Sequence, residues 1–244
     1  MNITAKVAIV TGAARGIGQA TAVMLAEQGA KAVVLVDIRE EALSETADKV
    51  TAAGAEAVIS CTDVGDLNSL RKLFDETYAR WGQLDILHNN AGLGEGHPDW
   101  PGITPERSAA IIDVNLRGVI LGTQLALEFM KKSGGGAIVN TSSGGAFVPL
   151  PPQAVYVATK AAVVHFTRSC APLAESHGVR VNCVCPGLTD TDMVKESGGD
   201  RVAPWLQPMY DAVDLLTPED IATAVLALIT DDSKIAEVVS IENS

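Results

Sequence analysis

The sequence predicts an α/β fold, a single Rossmann-type domain built on a doubly wound parallel sheet of about seven strands with helices on both faces. Short apolar runs rich in β-branched residues alternate with longer segments of helical periodicity, and this alternation favours parallel strands joined by right-handed crossovers. Hydrophobic residues make up 47% of the chain but aromatic residues only 4%, a balance that parallel sheets prefer. No linker or repeat interrupts the 244 residues, so we expect residues 1–244 to form one domain.

The strands are predicted where apolar, β-branched runs are short and end in turn residues. These runs cover residues 7–11, 32–37, 57–61, 84–88, 137–141 and 179–185, with a weaker one at 237–241. Helical periodicity is clearest over residues 19–28, 40–53 and 67–81.

Three irregular stretches follow strands, at residues 93–103, 144–153 and 186–216. In an open α/β sheet, ligands bind beyond the carboxyl ends of the strands. We therefore expect these stretches to wall the binding site, with a substrate-loop region at about 188–216.

The charge balance excludes two classes of partner. Thirty acidic against eighteen basic residues give a net charge of -12, and such a field repels nucleic acid and anionic membranes. No apolar run approaches the roughly 18 residues of a membrane span, and the first strand begins too early to leave room for a signal peptide. We expect a cytoplasmic protein with no nucleic-acid or membrane partner.

The cysteines point to the same compartment. Cys61, Cys170, Cys183 and Cys185 show no disulfide-framework spacing, which indicates reduced thiols. Cys183 and Cys185 would share one face of a strand, but two ligands with no His or carboxylate nearby favour core packing over metal binding. No metal is expected.

A glycine-rich turn follows the first predicted strand, with glycines at 12, 16 and 18. Glycines there allow a tight turn and let backbone amides approach a pyrophosphate at a helix amino terminus. Asp37 ends the second strand, nineteen residues after Gly18, where a carboxylate can accept hydrogen bonds from the adenosine ribose. The alternative for Asp37 is a helix cap or a solvated turn.

Tyr156 and Lys160 stand four residues apart, and Ser143 lies thirteen positions upstream of the tyrosine. On a helix this spacing places phenol and ammonium on one face. A tyrosine that acts as a base near neutrality needs roughly 4 kcal/mol of preference for phenolate, and an ammonium about 4 Å away supplies about that much at an effective dielectric of about 20. The alternative is a surface helix with an ordinary Tyr and Lys.

These features occur together with further motifs in the order of the short-chain dehydrogenase/reductase family, which the chain resembles from about residue 6 to residue 191. The motifs are Thr-Gly-x-x-x-Gly-Ile-Gly at 11–18, Asn-Asn-Ala-Gly at 89–92, Asn115, Ser143, Tyr-x-x-x-Lys at 156–160 and Pro-Gly at 186–187. The resemblance implies NAD(P)-dependent oxidation of alcohols or reduction of carbonyls.

By position, the resemblance also implies catalytic roles. Tyr156 resembles the acid/base, and Lys160 resembles the residue that lowers its pKa and binds the nicotinamide ribose. Ser143 resembles the group that holds the substrate oxygen. Asn115 matches the asparagine that supports a water-linked proton path to Lys160.

The implied cofactor site draws on several loops. Asp63 and Val64 resemble the residues that contact the adenine. The residues after the fourth strand resemble those that line the adenosine ribose. Thr189 and Thr191 resemble the residues that bind the nicotinamide amide. Ordinary loop hydrogen bonding is the alternative. The implied cofactor-binding residues are Gly12, Arg15, Gly16, Ile17, Gly18, Asp37, Ile38, Asp63, Val64, Asn90, Ala91, Gly92, Tyr156, Lys160, Pro186, Gly187, Thr189 and Thr191.

Charge predicts which dinucleotide binds. Asp37 would face the 2′-phosphate of NADP at close range, and Ile38 sits where many NADP-preferring relatives carry a basic residue. The predicted cofactor is NAD. Arg15 and Arg39 are the opposing evidence, because either could reach a phosphate.

The substrate-facing residues are predicted from two loops. Phe147, near Val148 and Leu150, and Trp205, near 206–210, would give an apolar pocket, with core packing of the Trp205 segment as the alternative. Gln153 resembles a glutamine of the 15-hydroxyprostaglandin dehydrogenase subgroup that contacts substrate. With Ser143 and Tyr156, these residues favour a hydrophobic secondary alcohol as the substrate.

The sequence leaves two alternatives each for the oligomeric state and for the function. Pro172 is predicted to fall inside the helix begun near Ala154, where it would kink the chain, and in this family that helix commonly packs against a partner subunit. The end of the chain, residues 236–244, lacks the glycine-rich terminus of tetrameric relatives, so a homodimer is an alternative to a tetramer.

The alternative function is an NAD-binding redox sensor or scaffold without turnover. The intact glycine turn argues against lyase chemistry without NAD.

Overall fold

Apolar runs buried on both faces form the strands. The computed structural model describes all 244 residues, and every residue of the first strand is buried in it. The strands are β1 Val7–Thr11, β2 Ala32–Asp37, β3 Glu56–Cys61, β4 Ile86–Asn89, β5 Gly136–Thr141, β6 Val179–Pro186 and β7 Val238–Ile241. All seven lie within two residues of the predicted runs.

All strands join one sheet in the order β3-β2-β1-β4-β5-β6-β7, and every neighbouring pair is parallel. The predicted fold class, a doubly wound parallel sheet, is confirmed. The strand order reverses between β1 and β4. At such a reversal the connections leave to opposite faces and open a crevice at the carboxyl ends of the strands.

Helices cover both faces of the sheet. They are α1 Gly16–Glu27, α2 Glu40–Ala52, α3 Leu67–Trp81, α4 Pro105–Ile112, α5 Gly118–Met130, α6 Ala154–Ser169, α7 Leu173–His177, α8 Asp192–Lys195, α9 Gln207–Tyr210 and α10 Pro218–Thr230. Alternate residues of β1 point to opposite faces. Ala8 and Val10 pack with α1, α2 and α10, whereas Ile9 packs with α3 and α5.

The helix before β5 was not anticipated from the sequence. A single π-helical turn, Asp113–Arg117, joins α4 to α5, and the combined helix Pro105–Met130 is long and apolar enough, by length and composition, to cross a membrane. The expectation that no segment reaches this length is wrong, because it counted uninterrupted apolar residues only. In the fold, this helix packs against β4, β5 and α3. The cytoplasm stays the predicted location.

Pro172 lies outside α6. The helix ends at Ser169 with Cys170 as its cap, and Pro172 is the residue that precedes α7. The prediction that Pro172 falls inside the helix is therefore wrong. A proline lacks an N–H and is tolerated where a helix begins, since the first N–H groups have no acceptor within the helix. The chain breaks at this proline and a new helix starts.

The segment 186–216 holds two short helices, α8 and α9, within otherwise irregular chain. Its two ends are tied together by a parallel bridge between Thr189 and Leu216. Asn243 also fixes this segment, because its amide accepts from Leu188 N at 2.8 Å and donates to Leu188 O at 2.7 Å. The segment therefore has fixed ends beside the carboxyl edge of β6.

A buried arginine fixes the end of α10. Arg180, 8% exposed, donates to Leu228 O at 2.8 Å and to Ile229 O at 2.6 Å. We expect Arg180→Met to lower the free energy of unfolding by about 2 kcal/mol, because buried carbonyls lose their donor while the apolar stem is kept. Urea unfolding measures the change. Arg201→Met, at an exposed arginine without an ion pair, is the control, and an equal loss in both variants would contradict this prediction.

Candidate active site

A cleft of about 570 Å³ opens beyond the carboxyl ends of the strands, at the reversal between β1 and β4. The structure brings all but one of the predicted cofactor residues to its wall. These are Gly12, Arg15, Gly16, Ile17, Asp37, Ile38, Asp63, Val64, Asn90, Ala91, Gly92, Tyr156, Lys160, Pro186, Gly187, Thr189 and Thr191.

Gly18, the exception, lies behind the turn. A Cβ added to it would stand 2.1 Å from Gly12 O, so the first turn of α1 packs directly against the end of β1. Gly12 has a φ of 65° and Gly16 one of 58°, a backbone region that glycine adopts without a steric penalty. The first N–H groups of α1 lack acceptors within the helix. They therefore form a ready anion-binding cradle at the wall of the cleft.

The Asn90 amide and the Thr11 hydroxyl connect this turn to the loop after β4 by hydrogen bonds. Asn90 Nδ2 donates to Thr11 O at 3.1 Å and to Gly12 O at 3.3 Å. In return, Thr11 Oγ1 accepts from the backbone N–H groups of Asn90 and Ala91, at 2.9 and 3.0 Å. A Cβ on Gly12 would meet Ala91 Cα at 2.9 Å. The two loops therefore approach as closely as a glycine allows.

Only one carboxylate oxygen of Asp37, a residue of the cleft wall, is hydrogen-bonded within the protein. Oδ1 accepts from Arg39 N at 3.1 Å and lies 3.5 Å from Arg39 Nε, while Oδ2 has no hydrogen-bond partner in the protein. Arg15 is also paired, because it contacts Asp192 and lies 3.8 Å from Glu196. Both arginines that could have favoured a phosphate are thus engaged by carboxylates.

The predicted Ser-Tyr-Lys group assembles at one side of the cleft. Ser143 follows β5, and Tyr156 and Lys160 lie one turn apart on α6. Lys160 Nζ stands 5.5 Å from the centre of the Tyr156 ring and donates to Thr141 O at 2.9 Å. The predicted shared helix face is therefore observed.

Burial dominates the acid–base properties of this group. It lowers the pKa of Lys160 to about 8, since an ammonium is disfavoured away from water. Burial also raises the pKa of the Tyr156 phenol, and the Ser143 hydroxyl opposes that rise. The ammonium, which is bonded to a carbonyl and placed over the ring, does not offset the burial of the phenol in this structure. A phenol with a raised pKa keeps its proton at neutral pH.

Asn115 sits in the π-helical turn, fully hydrogen-bonded. Its Oδ1 accepts from Leu93 N at 2.7 Å, and its Nδ2 donates to Leu93 O at 2.8 Å and to Thr159 Oγ1 at 3.3 Å. Thr159 Oγ1 in turn donates to Tyr156 O at 2.7 Å. Asn115 therefore joins the loop after β4 to the backbone of the tyrosine. Such π-helical turns are frequent at functional sites.

The predicted substrate residues outside the Ser-Tyr pair do not line the cleft. Gln153 is 7% exposed, and its Oε1 accepts from Glu95 N at 3.3 Å. Phe147 is 51% exposed, and Trp205 buries an indole N–H that has no partner. Sequence reasoning missed further wall residues. Three of them fall in the predicted substrate-loop region, namely Asp192, Met193 and Val194, and the others do not: Val36, Thr62, Leu93, Ala110, Val114, Thr141 and Ser142.

Comparison with known proteins gives a consistent family. A family model described as short chain dehydrogenase matches residues 6–201. A cis-4-hydroxycyclohexanecarboxylate dehydrogenase of Sinomonas cyclohexanicum is 39% identical, over 93% of this chain and 90% of that protein. The 15-hydroxyprostaglandin dehydrogenase (NAD(+)) of Bos taurus is 37% identical, over 100% of this chain and 93% of that protein.

Solved structures agree. A 7α-hydroxysteroid dehydrogenase complexed with NADH and 7-oxo glycochenodeoxycholic acid superposes with a TM-score of 0.88 at 29% identity, covering 98% of this chain and 94% of that one. The predicted resemblances, to the family and to the prostaglandin dehydrogenase subgroup, are confirmed, and the relatives bear out NAD as the cofactor. The chain belongs to the short-chain dehydrogenase/reductase family and is an oxidoreductase of that family.

Proposed function

We propose that this chain transfers a hydride between NAD(H) and a hydrophobic secondary alcohol or ketone, with Tyr156 as the general acid/base. One observation carries the proposal. Ser143, Tyr156 and Lys160 share the wall of a single cleft with the glycine turn and Asp37. Proton-transfer groups and a dinucleotide cradle in one cavity are what such a reaction requires.

The residues of the cleft fit a dinucleotide. The first N–H groups of α1 would hold the pyrophosphate, and the free Oδ2 of Asp37 would accept from the adenosine ribose. Asp63 and Val64 would contact the adenine, with Ile38 on the same wall. Pro186, Gly187, Thr189 and Thr191 would hold the nicotinamide end. NAD, when bound, supplies the acceptor for hydride in oxidation and the donor in reduction.

The protein supplies alignment and proton transfer. For oxidation, Ser143 and Tyr156 hydrogen-bond the substrate hydroxyl, and the phenolate form of Tyr156 takes its proton. For reduction, the protonated phenol donates to the carbonyl oxygen. The raised pKa of the Tyr156 phenol, caused by burial, suits the reductive step. Oxidation needs the cation of Lys160 to favour phenolate, with Asn115 supporting the proton path.

Gln153, Phe147 and Trp205 stay proposed substrate residues. Glu95 N occupies Gln153 Oε1, which leaves the amide N–H groups of Gln153 to donate to a substrate oxygen. Phe147 and Trp205 would add apolar surface from the loop after β5 and from the region 188–216. Leu93 and Met193 already give the cleft an apolar wall. This composition favours a substrate with few polar groups beyond the reacting oxygen.

A spectrophotometric screen tests the function. The protein is assayed for NADH formation over a panel of hydrophobic secondary alcohols, with NAD and NADP in parallel and with the matching ketones in the reverse direction. We expect turnover with NAD on a subset of the panel. Tight NADH binding without turnover on any member would instead support a redox sensor or scaffold.

We also propose a homo-oligomer, either a dimer or a tetramer. Only 44% of the most apolar window of the helix Pro105–Met130 is buried within one chain, and Ile112 on it is 45% exposed. A second subunit covering this helix would remove that apolar surface from water. Light scattering should give two or four times the 25.4 kDa of one chain.

A further inference from the structure

One buried carboxylate next to α6, the helix that carries Tyr156 and Lys160, has no role in the reaction described above. Glu95 lies in the loop after β4 and is 3% exposed. No arginine, lysine or histidine forms an ion pair with it, and its Oε2 is buried without a hydrogen-bond partner. Carboxylates are almost never this buried unless they are paired. The structure therefore buries a carboxyl group here at a cost.

Glu95 caps α6 from outside that helix. Its Oε1 accepts from Val155 N at 2.8 Å and from Tyr156 N at 3.0 Å, two of the orphan donors of the first turn. The side chain of Gln153, the residue that precedes α6, makes no such bond. Instead, Gln153 Oε1 accepts from Glu95 N. Loop and helix thus exchange hydrogen bonds in the manner of a capping box formed between distant segments.

The loop that carries Glu95 is itself fixed. Arg107 on α4 donates through Nε to Glu95 O at 3.2 Å and through its terminal nitrogen to Gly94 O. The backbone carbonyl of Tyr156 accepts a hydrogen bond from Thr159 Oγ1. Thr159 Oγ1 in turn accepts one from Asn115 Nδ2. Both backbone polar groups of Tyr156 are therefore held by side chains. These two contacts fix the backbone from which the phenol projects.

We propose that Glu95 is a positioning residue for proton transfer: its carboxylate fixes the backbone of Tyr156, and its negative charge opposes formation of the phenolate. This inference rests on the proposed function. It assigns to one carboxylate both the placement of the acid/base and part of its acidity.

The groups that face the phenol support the second part. Lys160 Nζ lies 5.5 Å from the centre of the Tyr156 ring, and the Glu95 carboxylate accepts from the backbone N–H of Tyr156. Ser143 at the end of β5 and Cys185 on β6 also act on the phenol. Burial raises the pKa of Tyr156 most, Ser143 lowers it, and the charge of Glu95 raises it, as does Cys185. Without the charge of Glu95, phenolate should form at lower pH.

Two substitutions separate placement from charge. Glu95→Gln keeps an oxygen for the two N–H groups and removes the charge. We expect the pKa of the Tyr156 phenol to fall, and the acid limb of kcat/KM for alcohol oxidation to move to lower pH with it. Glu95→Ala removes both contacts. We expect its plateau kcat to fall about tenfold, because the acid/base is less well placed for proton transfer, while the KM for alcohol and the Kd for NADH stay within about twofold.

The phenol is titrated by ultraviolet difference spectra against a Tyr156→Phe background, a readout that needs no turnover. Failure of the proposed function, seen as no activity in the parent, therefore leaves this measurement in place. Asp99→Asn removes a charge from the same loop and should leave the phenol pKa unchanged. An unchanged phenol pKa in Glu95→Gln would overturn the inference. So would a parallel loss of NADH affinity and kcat in Glu95→Ala, since that pattern marks a general structural role.

Discussion

We expect Tyr156→Phe to lose at least about a thousandfold in kcat/KM, the upper range for removing a general acid/base, while its affinity for NADH stays that of the parent. The substitution deletes one hydroxyl. In the proposed mechanism, that hydroxyl exchanges a proton with the substrate in either direction. The ring stays, so its packing beside Lys160 is preserved. Steady-state kinetics measure the first quantity and fluorescence titration the second.

Tyr78→Phe provides the matched control. Tyr78 lies on α3 and packs against Phe129, with ring centres 5.1 Å apart, away from the residues that line the cleft. It should keep parent kinetics and parent NADH affinity. If Tyr156→Phe folds, binds NADH and turns over at the parent rate, the assignment of Tyr156 is wrong and another group must carry the proton.

Sequence patterns predicted the sheet and the cofactor cleft because both depend on local, repeated signals. A strand such as β1 is five apolar or β-branched residues in a row, and parallel strands deliver their last residues to a common edge. Asp37 and Ser143 follow or end strands, so finding the strands also placed these side chains. Tyr156 and Lys160 sit one helical turn apart, a relation that sequence spacing alone specifies.

Contacts between distant segments could not be predicted in this way. Glu95 reaches a helix whose capped residues lie 60 and 61 positions further along the chain, and no local pattern marks such a cap. The raised pKa of the Tyr156 phenol could not be predicted for the same reason. Spacing predicted an ammonium near Tyr156, but the carbonyl of Thr141 that holds Lys160, and the burial of both side chains, follow only from tertiary packing.

The sequence did not predict some backbone details, because its local pattern fits more than one structure. Pro172 reads equally as a kink within a helix or as the start of the next one, and the structure shows the second. The π-helical turn around Asn115 adds a residue to one helical turn, and no residue type marks such an insertion. This turn nevertheless places the Asn115 side chain between Leu93 and Thr159. The positions hardest to predict are thus close to the candidate catalytic group.

The second large effect concerns the choice of dinucleotide. We expect the parent to bind NADH at least about a hundredfold more tightly than NADPH, because a carboxylate within about 4 Å of a phosphate charge costs several kcal/mol at an effective dielectric of about 20. Asp37 supplies that carboxylate at the wall of the cleft. Ile38, 62% exposed beside it, offers no cation to the phosphate.

The double substitution Asp37→Ser with Ile38→Arg should reverse this preference. Serine removes the repulsion, the new guanidinium can bind the 2′-phosphate in bidentate fashion, and Arg39 loses the carboxylate that now lies 3.5 Å from its Nε. Fluorescence titration with both reduced dinucleotides measures the change. Asp48→Ser, which removes an exposed carboxylate from α2, should leave the ratio of the two dissociation constants unaltered. Equal affinity of the parent for NADPH and NADH would refute the role of Asp37, because a carboxylate that does not exclude the phosphate cannot be the group that selects NAD.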